Sequence, residues 1–435
     1  MTMRVLFVTV AAGSHLGAQV PLAWALRAAG HQVCVASQPD LEDEIVAAGL
    51  AAVPVGPPLD QEGSVEELRR RREEEARRLD GEPPDAQELM RVGDLSPDRL
   101  GYDRLHGTVT VMTSAIFQNF SARETVDDLV GFARHWRPDL VVWDTMLMAG
   151  AVAARACGAA HARLLYGLDL VGRMREEYLA EVARRPADLR EDPLAEWLGW
   201  TMARYGGAFG EDLVVGQWTI DPIPSSMRLA VDHHYVPMGY VPFNGRAVIP
   251  SWLREPPARR RVCLTLGVSF REVMGGDQAS IGALLEALAG LDVEVVATLD
   301  ADQLATVDRV PGNVRVVDFV ALNELLPSCS AIVHQGGFGT AQTALAHGVP
   351  QVIVPSDMWD AIARAQRVQR SGAGLCVSDD GRPPAVAELR DALVRVLAEP
   401  SFARAAAGMR AEVRGAPAPA DLVPLLEKLT ARHRG

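Results

Sequence analysis

The 435-residue chain is poor in cysteine, has no surplus of positive charge and contains no long apolar run. Its five cysteines (Cys34, Cys157, Cys263, Cys329 and Cys376) are odd in number, far apart and mostly set in apolar stretches, with no C-x-x-C pair. That spacing argues against a disulfide scaffold and predicts reduced core residues of a cytoplasmic protein. The net charge of -13 argues against nucleic acid as the main partner, because gripping a phosphate backbone requires a positive field. No apolar segment approaches the roughly 18 residues of a membrane span, so no membrane partner is expected. The start, Arg4 followed by VLFVTVAA, has the outline of a secretory signal. It runs straight into PLAWALRAAGHQVCVAS, however, and reads more economically as the first strand of a βαβ unit.

Three chemical signatures are also missing. No lysine lies near the glycine-rich stretch HQGGFGT, so it is not a Walker A loop. The dinucleotide fingerprint would need a third glycine where Gln342 stands, and the AAGSHLG turn after the first strand does not show it either. Neither H-E-x-x-H nor clustered Cys/His spacing occurs, and His233 and His234 are merely adjacent, so no metal is expected.

What is present is a repeated grammar. In the first half, RVLFVTV, HQVCVAS, AAVPV, LVVWD and HARLLY are strands separated by helical stretches, including 121–136 and 146–157, with Gly30 placed to end the first helix. In the second half RVCLTL, VEVVATL, VRVVDF, AIVH and QVIVP follow the same rule. Continuous apolar strands alternating with helices predict parallel sheets covered on both faces. The fold expectation is α/β, with two Rossmann-like domains: residues 1–245, a proline-rich linker 246–258, and residues 259–416. A terminal helix at 417–435 is expected to pack back on the first domain. Residues 64–80, dense in mixed charge with Glu66/Arg70 and Glu67/Arg71 at i,i+4 spacing, read as a solvated helix or insertion, with a docking surface or substrate flap as the alternative.

The stretch SAIVHQGGFGTAQ places a strand ending at His334, a turn with Gly336, Gly337 and Gly339, and a helix opening at Thr340. Bare amides at a positive helix end form an anion site, and phosphate is the usual occupant. Asp357 and Asp360 follow the next strand, at the sheet edge where open α/β folds bind ligands. A carboxylate there suits sugar hydroxyls. Trp143 and Trp359 could line a pocket, although tryptophans beside strands more often belong to the core.

The block HQGGFGTAQTALAHGVPQVIVPSDMWDAIARAQRV resembles the nucleotide-sugar motif of the GT-B glycosyltransferases of family 1. The likeness covers essentially the whole chain and is strongest to actinobacterial enzymes that attach deoxysugars to macrolides and anthracyclines. DPIPSSMRLAVDHHYVPMGYVPFNG resembles that subgroup's domain junction. The resemblance implies a GT-B fold whose domains face across a cleft, where the chemistry occurs once they close. It implies that His334 contacts the donor diphosphate, that Gly337, Gly339 and Thr340 lend donors, and that Ser269 lies in a second phosphate-binding turn. It places Phe319 on the base and Leu322 where main-chain groups read the base edge. Asp360 matches the acid of the family's D-Q pair. Ala361 stands where the amide is expected, which predicts a donor with fewer hydroxyls, a deoxy or aminodeoxy sugar.

Inverting transfer needs a base for the acceptor hydroxyl, and histidine suits neutral pH. His15 lies in the loop after the first strand, sixteen residues before His31, matching the family's base except that Ser14-His15 replaces G-H. Asp144, at the end of LVVWD, takes the position of its partner acid. The expected activity is metal-independent transfer of a deoxysugar from a dTDP-sugar to a hydroxyl of an apolar polyketide aglycone in antibiotic biosynthesis, with no cofactor beyond the nucleotide-sugar co-substrate. The alternatives are a nucleotide-sugar epimerase on the same scaffold and a catalytically silent binding member. The resemblance also implies a cytochrome P450-like auxiliary protein docking on the first domain, with residues 60–110 shaping that contact or the acceptor mouth. Oligomeric state stays open, a homodimer included.

Overall fold

A computed structural model describes residues 2–59, 101–267, 280–356, 359–378 and 384–434. Ser269, Asp357, the charged run 64–80 and most of 60–110 lie outside the described residues.

The chain divides into two compact units. The first contains Met1–Pro222, Arg228–Met238 and Pro417–Gly435, and the second contains Ile223–Met227 and Gly239–Ala416. The sequence reading carried the first domain to 245, whereas Gly239 already belongs to the second unit. The reason is anchoring. The Tyr240 hydroxyl donates to the Gly339 carbonyl at 3.3 Å, and the Asn244 side chain accepts from the Asn323 amide at 2.8 Å. In the stretch read as linker, Trp252 lies 5.4 and 5.1 Å from the guanidinium carbons of Arg261 and Arg315.

The first unit holds seven strands: β1 (Arg4–Val8), β2 (Gln32–Ser37), β3 (Ala51–Pro54), β4 (Leu140–Asp144), β5 (Ala160–Leu164), β6 (Trp218–Asp221) and β7 (Tyr235–Pro237). Their order is β3-β2-β1-β4-β5-β6-β7, and every pairing is parallel. The second unit holds β8 (Arg261–Thr265), β9 (Glu294–Thr298), β10 (Val314–Val317), β11 (Cys329–His334), β12 (Gln351–Ile353) and β13 (Gly374–Cys376), in the order β10-β9-β8-β11-β12-β13 and again all parallel. A parallel sheet needs cover on both faces, and period-2 alternation supplies it. Val262, Leu264, Ala331 and Val333 pack on one side with helices Ile281–Leu288 and Val386–Ala398, while Cys263 and Ile332 face Ala344 and Val349 on the other.

In each sheet the strand order reverses once, between β1 and β4 and between β8 and β11. Loops leave in opposite directions at such a point, opening a crevice at the strands' carboxyl ends. Helix Pro419–His433 packs in the first unit, burying Leu422, Val423, Leu426 and Leu429. The His433 ring lies tilted beside Trp218, centroids 5.6 Å apart, and Arg434 pairs with Asp139. Among the described residues, no helix is long and apolar enough to cross a membrane.

Candidate active site

In the first unit the crevice is bounded by the ends of β1 and β4, which pair directly, Val8 opposite Trp143. The chain leaves β1 and enters helix Gly13–Ala28 after Ala12, which has extended backbone and provides no side-chain cap. His15 therefore sits in the first turn of this helix and not in the loop before it. Its amide bonds to the Ala12 carbonyl at 3.0 Å.

Asp144 is the last residue of β4 and is 1 % exposed. His15 Nδ1 lies 2.5 Å from Asp144 Oδ2, and Oδ1 accepts from the Met146 amide at 2.8 Å. A buried carboxylate on Nδ1 fixes the proton there and leaves Nε2 as the basic nitrogen. The Tyr166 ring packs beside the imidazole, centroids 3.8 Å apart. Adjacent strands thus bring together two residues 129 positions apart, as a base with an orienting acid. Trp143 is core: it is fully buried, and its Nε1 donates to His161 Nδ1 at 3.2 Å.

In the second unit, β11 ends at His334 and helix Phe338–His347 begins after Gly337. The turn requires Gly336, whose φ is +84°; a Cβ there would also lie 3.3 Å from Ile353 Cγ2. At Gly337 a Cβ would meet nothing within 4 Å, and at Gly339 only the Tyr240 hydroxyl at 3.7 Å. The helix has no side-chain cap and no acidic residue in its first turn. Among the described residues, the amides of Gly337, Phe338, Gly339 and Thr340 donate to no protein acceptor. Open, uncapped amides at a helix start are the physical requirement for an anion site.

His334 is placed differently from expectation. Its ring is 1 % exposed, and both nitrogens are engaged within the protein: Nε2 with Gln351 Oε1 at 2.9 Å, and Nδ1 accepting from the Gly336 amide at 2.9 Å. In place of the expected diphosphate contact, the ring holds the glycine turn in shape. Burial drives its pKa down to about 4, the Gln351 bond opposes that shift and the Arg364 charge adds to it. The imidazole is neutral at pH 7.

Asp360 is buried and bonded to Arg364 Nη1 at 2.5 Å, while Arg364 Nε and Nη2 donate to the Gly336 carbonyl at 3.2 and 2.6 Å. The acid read as a sugar ligand is thus also one end of a brace on the phosphate turn. Trp359, just before it, has a φ of +53°, unusual for a bulky residue. Phe319, in the turn after β10, is 61 % exposed, so its ring face is open for stacking. Leu322 opens the short helix Leu322–Leu325, whose next residue, Asn323, bonds to Asn244 and His347.

Arg364, Gln351 and Tyr166 went unread in the sequence. The one available signal was the i,i+4 spacing of Asp360 and Arg364. Among the described residues, no three His, Cys, Asp or Glu side chains cluster as a metal site. The five cysteines are free, and burial pushes the Cys34 and Cys329 thiols up to about 12, which removes them as nucleophiles at neutral pH.

Against known proteins, residues 24–267 match the family model "Erythromycin biosynthesis protein CIII-like, N-terminal domain" and residues 282–429 match its C-terminal counterpart. The chain is 55 % identical to aclacinomycin-T 2-deoxy-L-fucose transferase of Streptomyces galilaeus, over 99 % of this chain and 97 % of that one. It is 49 % identical to 10-deoxymethynolide desosaminyltransferase of Streptomyces venezuelae, over 99 % and 98 %. The crystal structure of glycosyltransferase VinC in complex with dTDP superposes with a TM-score of 0.87 at 40 % identity, covering 99 % of this chain and 100 % of that one. With two Rossmann-like sheets, a histidine–aspartate pair at one switch point and an uncapped glycine turn at the other, the chain belongs to the erythromycin biosynthesis protein CIII-like family and is a GT-B glycosyltransferase.

Proposed function

We propose that the protein transfers a deoxysugar or aminodeoxysugar from a dTDP-sugar to a hydroxyl of a polyketide aglycone, with inversion at the anomeric carbon. The observation that carries the reading is the 2.5 Å contact between His15 Nδ1 and Asp144 Oδ2, which leaves Nε2 free to take a proton. The acceptor hydroxyl gives its proton to Nε2 as its oxygen bonds to the anomeric carbon. The bond from that carbon to the diphosphate oxygen breaks, and the imidazolium formed is stabilised by Asp144.

The departing diphosphate carries negative charge. The amides of Gly337, Phe338, Gly339 and Thr340 offer it donors at the positive end of a helix dipole, each charge-assisted bond worth about 1.5 to 3 kcal/mol. Phe319 supplies a face for the base, and Asp360 an acceptor for the sugar. Ala361 beside it removes an amide that a fully hydroxylated sugar would engage. The relatives' names, a 2-deoxy-L-fucose transferase and a desosaminyltransferase, support a deoxygenated donor, and dTDP in VinC supports the nucleotide.

The test incubates the protein with dTDP-deoxysugars and candidate aglycones. A new glycoside is expected, and His15→Ala lowers kcat by about 10²- to 10⁴-fold. Epimerised donor without glycoside, or better use of UDP-glucose than of any dTDP-deoxysugar, would defeat the reading. Supplying a cytochrome P450-like partner is expected to raise turnover, and light scattering distinguishes monomer from homodimer.

A further inference from the structure

Asp144 holds the His15 ring at one atom, Nδ1. A single bond leaves an imidazole able to rock about that point, and Nε2 lies on the far side of the ring, where a small rotation moves it furthest. Proton transfer requires Nε2 to stay within hydrogen-bond reach of the acceptor hydroxyl. The His15 side chain is 14 % exposed, so a second constraint has to come from a neighbour that packs on the ring itself.

Tyr166 is that neighbour. Its ring centroid lies 3.8 Å from that of the imidazole, with the planes inclined by 32°, closer than most aromatic pairs, whose centroids are typically about 4.5 to 7 Å apart. The loop that presents it is anchored at both ends. Leu164, the last residue of β5, is the register partner of Asp144, and its carbonyl accepts from the Thr145 hydroxyl at 3.4 Å. The following amide, of Leu165, donates to the Ile220 carbonyl of β6 at 3.0 Å. Four residues on, buried Asp169 accepts from the Gly172 amide at 2.8 Å and the Tyr235 hydroxyl at 2.5 Å, and it pairs with the fully buried Arg163. So short a segment between two anchors has little freedom to carry Tyr166 away from the imidazole.

The contact also matters for charge. When His15 takes the acceptor proton, the imidazolium forms against a π-system whose negative face attracts a cation. Asp144 meets that charge at the edge of the ring, and Tyr166 meets it from one face.

We propose that Tyr166 is a positioning residue for glycosyl transfer: its ring, and not its hydroxyl, fixes the direction of His15 Nε2 and stabilises the imidazolium formed there. The assignment rests on the reading of His15 as the base.

Tyr166→Phe keeps the ring, Tyr166→Leu and Tyr166→Met remove it, and His15→Ala is the reference. All are assayed with the dTDP-deoxysugar and aglycone pair from which the wild type forms most glycoside, at a temperature where circular dichroism shows each to be folded. Tyr166→Leu is expected to lower kcat about 3- to 30-fold while KM for both substrates stays within about twofold. Tyr166→Phe restores kcat to within about twofold of wild type, since the π face is kept. Tyr166→Met decides the matter should the leucine variant not fold. Equal losses in the phenylalanine and leucine variants, a loss confined to KM for the aglycone, or kcat near the wild-type value in both aliphatic variants overturns the assignment; with His15→Ala inactive, the reading of the base still stands. Activity retained in His15→Ala, or no glycoside from the wild type with any pair, overturns both.

Discussion

At the scale of single residues, the geometry separates groups that react from groups that hold. His15 keeps one ring nitrogen open, whereas His334 spends both inside the protein. The difference has a consequence for pH. Burial pushes the His334 pKa down from 6.5 to about 4, so between these values the unfolded chain takes up a proton that the folded ring refuses. Stability from this residue is fully present above pH 6.5 and declines as the pH falls to about 4, by about 3 kcal/mol in all. Denaturant unfolding at pH 7 and pH 4.5 should therefore show a larger acid loss in wild type than in His334→Gln, which lacks the titrating group; parallel pH profiles would refute the assignment. The histidine's position at the strand end was legible from AIVHQGG. Its hydrogen bonds were not, because Gln351 is seventeen residues away and only the β11–β12 pairing brings it alongside.

At the scale of elements, the strand-turn-helix unit around β11 divides its glycines by task. Gly336 is required by a φ of +84° and by the nearness of Ile353. Gly336→Ala is expected to cost about 1 to 2 kcal/mol for the left-handed backbone alone. Gly337 has a φ of −55° and open space beyond its Cα, so Gly337→Ala changes stability by no more than about 0.5 kcal/mol. Its methyl group stands beside the free amides, and binding of thymidine diphosphate should weaken. Melting curves and titrations on the two variants check the division; loss of stability at Gly337 or its retention at Gly336 would contradict it. The long apolar strands of both sheets could be read from sequence because they are buried on both faces. By contrast, β6, β7 and β13 escaped because WTID, YVP and GLC lack the adjacent branched aliphatic residues that mark the equally short β10 (VRVV) and β12 (QVI). The start of helix Gly13–Ala28 was misplaced because no Ser, Thr, Asn or Asp side chain caps it.

At the scale of the whole molecule, the chain does not finish where its second unit ends. After Ala416 it returns helix Pro419–His433 to the first unit, where the helix buries four aliphatic side chains and ties Arg434 to Asp139. Each buried aliphatic contributes about 1.5 to 3 kcal/mol, so together they match the net stability of an ordinary domain, about 5 to 15 kcal/mol. The second unit receives no part of this helix. A protein ending at Ala416 should therefore lose stability selectively. Calorimetry is expected to show the melting of the first unit shifted down sharply or absent, with glycoside formation lost because His15 and Asp144 stand in that unit. Thymidine diphosphate should still bind the truncated protein, within about threefold of the full chain, since Phe319, the glycine turn and Asp360 all lie in the unit left whole. If affinity for the nucleotide collapsed together with the first unit, the donor site could not be the property of the second unit that its residues describe.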